Sequence, residues 1–88
     1  SLDLLRLESG APELTMVELD LVPLLASVKQ LVEPLARERR IQLRLELPPR
    51  LCAHADARRA RQVLLNLASN AIKYSPEGSQ VALRAGRG

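Results

Sequence analysis

Arg61-Gln62-Val63-Leu64-Leu65-Asn66-Leu67-Ala68-Ser69-Asn70-Ala71-Ile72-Lys73-Tyr74-Ser75-Pro76 is the stretch on which the reading of this chain turns. An α-helix advances roughly 100° per residue, so Asn66, Asn70 and Lys73 fall on one narrow stripe. Arg59 and Gln62 extend that stripe backwards. The opposite side carries Ala57, Ala60, Val63, Leu64, Leu65, Leu67, Ala68, Ala71 and Ile72, an apolar arc wide enough to face a core and interrupted only by Arg61. Asp56 stands before the periodic run as an N-cap, and Ser75-Pro76-Glu77-Gly78 follows Tyr74 as a stop and turn. Both ends of a helix are thereby marked.

Two carboxamides one turn apart, with an ammonium one turn further, form a donor set with a definite chemical preference. A side-chain amide oxygen is a neutral, hard ligand, suited to a Mg²⁺ that keeps waters and takes its charge compensation from substrate phosphates. A lysine adds a point charge for those phosphates. The set fits nucleotide-carried Mg²⁺ better than free metal. The same spacing also suits a plain solvated helix face, and spacing alone leaves both readings open.

The wording of Gln62 through Gly78, from Gln-Val-Leu-Leu-Asn-Leu-Ala-Ser-Asn-Ala-Ile-Lys to Tyr-Ser-Pro-Glu-Gly, resembles the N box of sensor histidine kinases, in the ATP-binding domain they share with gyrase and mismatch-repair ATPases. That resemblance implies cofactors ATP and Mg²⁺, with Asn70 as the direct Mg²⁺ ligand. It implies further that Asn66 contacts a phosphate or a Mg²⁺-bound water, that Lys73 contacts a phosphate, and that Tyr74 forms a wall of the nucleotide pocket. The parent would be a two-component kinase that passes the γ-phosphoryl group to a histidine. Its implied partners are a dimerisation and phosphoacceptor domain, a response regulator and a second copy of itself, and its implied location is the cytoplasm, including the cytoplasmic part of a membrane-bound sensor.

Composition sets the outer bounds. The 88 residues leave room for one small domain, which at this size buries only about 60–65% of its unfolded surface. Hydrophobic residues at 47% against 26% charged argue for a folded chain. Tyr74 is the only aromatic residue, so the core must be built from Leu, Val, Ile and Ala. A net charge of +3 raises nucleic acid as a partner, but the arginines are spread along the chain without aromatics to stack bases, which argues against it. The single cysteine, Cys52, excludes an internal disulfide and a multi-cysteine zinc site within one chain, and reads as a small strand residue. No apolar run approaches the roughly 20 residues of a membrane span, so no membrane contact is expected of this segment.

Outward from the central helix, the pattern predicts β, α, β, β, α, β. A strand is expected over 13–19, followed by Asp20 as the cap of a helix. In that helix Leu21, Leu24, Leu25, Val28, Leu31, Val32 and Leu35 keep the 3.6-residue period, with Pro23 in its first turn and Pro34 bending its last. Ile41 to Leu47 alternates strictly and predicts a half-buried strand, closed by Pro48-Pro49. A short return segment spans 51–55, and Val81, Leu83 and Ala85 point inward from a last strand over 80–85. The predicted fold is α+β, a two-layer sandwich with two helices on one face of a small sheet.

The resemblance implies a division of the chain: residues 1–12 as the end of a dimerisation helix with its linker, and 13–88 as the N-terminal part of the ATP-binding catalytic domain. The family's Asp-x-Gly-x-Gly segment and second glycine-rich stretch have no counterpart in these residues. His54, between Cys52 and Asp56, reads as structural, because three ligands packed so closely in an extended segment rarely close a metal shell. In the family the phosphoacceptor histidine lies on the dimerisation helix. An alternative function from a different class is a nucleotide-free interaction module that uses an exposed sheet edge and leucine-rich faces.

Overall fold

A computed structural model describes residues 14–86. The stump at 1–12 expected to end a dimerisation helix lies outside the described residues. The elements run β1 (Met16–Asp20), α1 (Leu21–Glu38), β2 (Gln42–Glu46), β3 (Cys52–Asp56), α2 (Ala57–Lys73) and β4 (Gln80–Arg84). The predicted order is therefore the observed one. The α+β class also holds, with the strands arranged as two two-stranded ladders instead of one continuous sheet. β1 and β3 pair antiparallel from Met16↔Asp56 to Asp20↔Cys52, and β2 and β4 pair parallel from Gln42↔Gln80 to Glu46↔Arg84.

Two aspartates organise the antiparallel ladder. Asp20 ends β1 and caps α1, its Oδ1 accepting from the Val22 N–H at 3.0 Å and from the Leu51 N–H at 3.2 Å. Asp56 ends β3 and caps α2, its Oδ1 accepting from the Arg59 N–H at 3.0 Å while Oδ2 accepts from the Thr15 N–H at 2.7 Å. Each carboxylate thus satisfies a helix donor that has no intrahelical partner and fastens the residue just before the other strand of the ladder. The expected strand at 13–19 begins at Met16 because its ladder ends where Asp56 stops pairing and starts capping.

Helix α1 runs through Pro34, which is exposed, and ends in a tight C-terminal motif. Ile41 N–H donates to the Ala36 carbonyl at 2.8 Å and Arg40 N–H to the Arg37 carbonyl at 3.0 Å, the two bonds of a Schellman cap. The position that such caps usually give to glycine is filled by Arg40 at φ 57°. The cap turns the chain so that Ile41 enters the core and β2 can start. After α2, Pro76 to Ser79 forms a β-turn in which Ser79 N–H donates to the Pro76 carbonyl at 3.2 Å, and Gly78 takes the positive φ of 81° that a type II turn needs at its third position.

The core joins Val28, Val32 and Ala36 of α1, Ile41 and Leu43, Ala68 and Ile72 of α2, and Val81 of β4. Val28 and Ile72 are fully buried, each contributing about 1.5–3 kcal/mol by removal from water. The alternation predicted for 41–47 is seen in the burial of Ile41 and Leu43 against exposed Gln42 and Arg44. The apolar arcs of both helices are wider than the surface that covers them. Leu31 and Leu35 of α1 and Val63 and Leu67 of α2 are exposed, because the parallel ladder and the facing helix meet only part of each arc.

Candidate functional site

Along α2 the polar stripe predicted from spacing is present as a continuous exposed strip: Arg59, Gln62, Asn66, Asn70 and Lys73 all face outward. Its geometry follows from the core on the other side, since burying Ala68 and Ile72 forces residues two positions away around the helix. Among the described residues neither the Asn66 nor the Asn70 carboxamide has a hydrogen-bond partner; the Asn66 backbone carbonyl accepts from Ser69 Oγ at 3.2 Å. Lys73 Nζ lies 5.6 Å from the centre of the Tyr74 ring, a cation–π contact. Tyr74 itself is 76% exposed, standing at the C-cap of α2.

The end of the strip is fixed from the other helix. Arg39, the C-cap of α1, reaches across with its guanidinium: Nε donates to the Ile72 carbonyl at 3.1 Å and Nη2 to the Ser75 carbonyl at 2.6 Å. The carbonyl of Arg39 in turn accepts from the Gly78 N–H at 2.9 Å. Ser75 Oγ donates to the Ala71 carbonyl at 2.6 Å and Tyr74 N–H to the Asn70 carbonyl at 3.0 Å, so the last turn has few unpaired acceptors. Nothing in the local sequence separates Arg39 from Arg37 and Arg40, because its partners lie more than 30 positions away.

Two concave surfaces lie toward the start of the helix, and Arg59 of the strip lines both. A groove of about 360 Å³ opens between the β1–β3 ladder and the first half of α2, lined by Met16, Ala53, His54, Ala60, Val63 and Leu64 among others. Beside it, Arg58, Arg59 and Arg61 rim a hollow of about 560 Å³ with Leu14 and Val17. His54 is exposed opposite Glu18, as a strand residue of the ladder. Cys52 is half-buried in β3 as a free thiol. Among the described residues no three His, Cys, Asp or Glu side chains are grouped to hold a metal ion.

Both capping carboxylates titrate below the ordinary carboxylate value of 3.8. The Val22 N–H lowers Asp20 most, followed by the Leu51 N–H, and the Arg59 N–H lowers Asp56 most, followed by the Thr15 N–H. Among the described residues no helix is long and apolar enough to cross a membrane.

No family model matches the chain. It is 32% identical over 80 residues to the sensor histidine kinase TmoS of Ectopseudomonas mendocina, covering 91% of this chain and 8% of that protein. It is 41% identical over 78 residues to the sensor protein SphS of Synechococcus elongatus, covering 88% of this chain and 19% of that one. The chain therefore spans less than a fifth of the length of these relatives. Among solved structures, the catalytic domain of histidine kinase ThkA superposes with a TM-score of 0.74 at 30% identity, covering 81% of this chain and 50% of that one. Full-length ShkA in complex with AMPPNP superposes with a TM-score of 0.75 at 37% identity, over 89% of this chain and 17% of that one.

Proposed function

The chain is homologous to sensor histidine kinases over most of its length and has the fold of their catalytic domains, and on that premise we propose that it is the part of such a kinase that receives the Mg²⁺ and phosphates of ATP. Residues 13–88 are then the N-terminal part of the ATP-binding domain and residues 1–12 the end of the dimerisation helix. The parent is a cytoplasmic kinase portion acting as a homodimer, with a response regulator downstream. The observation that carries this reading is the strip itself. Two carboxamides without partners among the described residues and an ammonium project from a helix whose other face is the core. The AMPPNP held by full-length ShkA, a nucleotide analogue, belongs to the chemistry that such a strip fits.

The donor set fits the group. A neutral amide oxygen would complete the shell of a phosphate-bound Mg²⁺ without adding charge; in this reading Asn70 would give it and Asn66 would take a metal-bound water or a phosphate. Lys73 offers its charge to a phosphate oxygen, and Tyr74, at the helix end, walls the adjacent face. Mg²⁺-ATP, when bound, supplies the transferable phosphoryl group with its charge partly offset. What these residues contribute is position and electrostatics.

Titrating the ¹⁵N-labelled chain with Mg²⁺-ATP, Mg²⁺ alone and adenosine tests the proposal. Binding is expected to be weak, since exposed charge contacts are worth about 0–1 kcal/mol each, and amide shift changes should centre on Asn66, Asn70, Lys73 and Tyr74. Asn70→Ala should remove the Mg²⁺ dependence while leaving the melting temperature within the small range of surface substitutions. Lys73→Ala should weaken ATP more than adenosine. Shift changes confined to other elements would sink this reading.

The exposed apolar residues Met16, Val63 and Leu67 favour a second reading, a protein-interaction module. Self-association without any nucleotide response would support it.

A further inference from the structure

Lys73 and Tyr74 lie at the point where α2 gives way to the turn before β4, and the ends of helices fray unless something holds them. Among the described residues the side chain that crosses to this junction from another element is Arg39. Its two guanidinium bonds fall on either side of the pair, one on Ile72 and one on Ser75, and its own carbonyl holds Gly78 beyond them. The arginine is itself anchored. It stands at the C-cap of α1, immediately before Arg40 and the buried Ile41, inside a cap closed by two backbone bonds.

We infer that Arg39 is a positioning residue for the nucleotide face: it brackets Lys73 and Tyr74 between Ile72 and Ser75 and so fixes the direction in which the ammonium and the phenol leave the helix. Three properties of the group support this. A cation at the C-terminal end of a helix faces the negative end of its dipole. A planar guanidinium donates to two carbonyls from two separate nitrogens along fixed directions, whereas the donors of an ammonium share one nitrogen and rotate. The arginine is half-buried at the core end of the molecule, where its bonds compete less with water. The bracket couples α1 to the phosphate end of the strip without touching a ligand.

The positioning role rests on the function proposed above, and one experiment separates the two. Amide hydrogen exchange is followed in the 88-residue chain for wild type, Arg39→Ala and Arg39→Lys, each with and without Mg²⁺-ATP. With Arg39→Ala, exchange at Tyr74, Ser75 and Gly78 should accelerate about tenfold or more, while Val17 and Glu18 in the β1–β3 ladder keep their rates. Mg²⁺-ATP should then no longer shift Lys73 and Tyr74 as it does in wild type. Arg39→Lys, which keeps the charge and loses the fork, should restore only part of both effects, and it serves as the reporter if Arg39→Ala does not fold. Acceleration spread evenly over the chain in step with a lower melting temperature would mean that Arg39 contributes stability alone, and would overturn the inference, as would unchanged exchange at residues 74–78. Absence of any nucleotide response in wild type would instead overturn the proposed function, with the exchange pattern still deciding whether Arg39 holds the helix end.

Discussion

The two halves of α2 are built from the same kind of sequence and live in different surroundings. In the C-terminal half, Ala68 and Ile72 are sealed by α1, β2 and β4, the last turn is clamped by Arg39, and the turn that follows is closed by its own hydrogen bonds. In the N-terminal half, Asp56 caps the first turn and the β1–β3 ladder lies alongside, yet Val63 remains in water and an apolar groove is open beside it. Apolar periodicity therefore states which face of a helix could be buried. Whether it is buried depends on what the rest of the fold brings to it. The polar strip takes its firmness from the sealed half, where Asn70 and Lys73 share a helical turn with Ile72.

The largest expected contrast comes from cutting equivalent side chains in the two halves. Ile72→Ala, at a position with 0% exposure, should cost about 2–5 kcal/mol, enough to unfold much of a domain this small. Val63→Ala, at 48% exposure, should fall within about 0.5 kcal/mol of wild type. Urea unfolding of both variants measures the difference, and equal losses would mean that the halves are covered alike in solution.

A smaller effect, of opposite sign, is expected at the cap of α1. Arg40 holds φ 57°, a region in which a side chain costs about 1–2 kcal/mol and glycine carries no such penalty. Arg40→Gly should stabilise the chain by about 0.5–1 kcal/mol, the strain relieved less the extra conformational entropy that glycine loses on folding. An unchanged or lower urea midpoint would show that the Arg40 side chain makes contacts that outweigh its strain.

The gentlest perturbation is acid, and it should act on the open half. Asp20 and Asp56 have lowered pKa values in the folded chain, so their contribution to stability is fully present above the unfolded value of 3.8 and is lost as pH falls through the lower folded values. Both carboxylates tie the β1–β3 ladder to a helix start. Amide exchange of that ladder should accelerate first below about pH 4, ahead of the parallel ladder. Simultaneous loss of both ladders would mean that the two regions unfold as one unit.

The order of elements, both helix caps and the polar strip were legible in the sequence because each depends on local rules: alternation, the 3.6-residue period, an aspartate before an apolar run, a proline and glycine after it. Asp56 and Asp20 could be read as caps from their positions alone. Their second bonds, to Thr15 and Leu51, could not, since those partners are 41 and 31 residues away. The same limit hid Arg39, which in the sequence is simply one of three arginines at positions 37, 39 and 40. Three arginines near the end of α1 look alike in one dimension, and Arg39 is the one whose guanidinium reaches carbonyls at the end of α2.

By itself the sequence determined that this chain forms two amphipathic helices among short strands, with Asn66, Asn70 and Lys73 on one solvent face and a resemblance to histidine kinases in the residues around them. Tertiary structure alone decided that the strands form two separate ladders, that Leu31, Leu35, Val63 and Leu67 stay uncovered, and that an arginine from α1 holds the end of α2. The physical reason is the range of the forces involved. Backbone propensity and capping act within a turn or two of chain, so they are written locally, whereas burial and side-chain reach are satisfied by whatever surface folding brings near, which no single stretch contains.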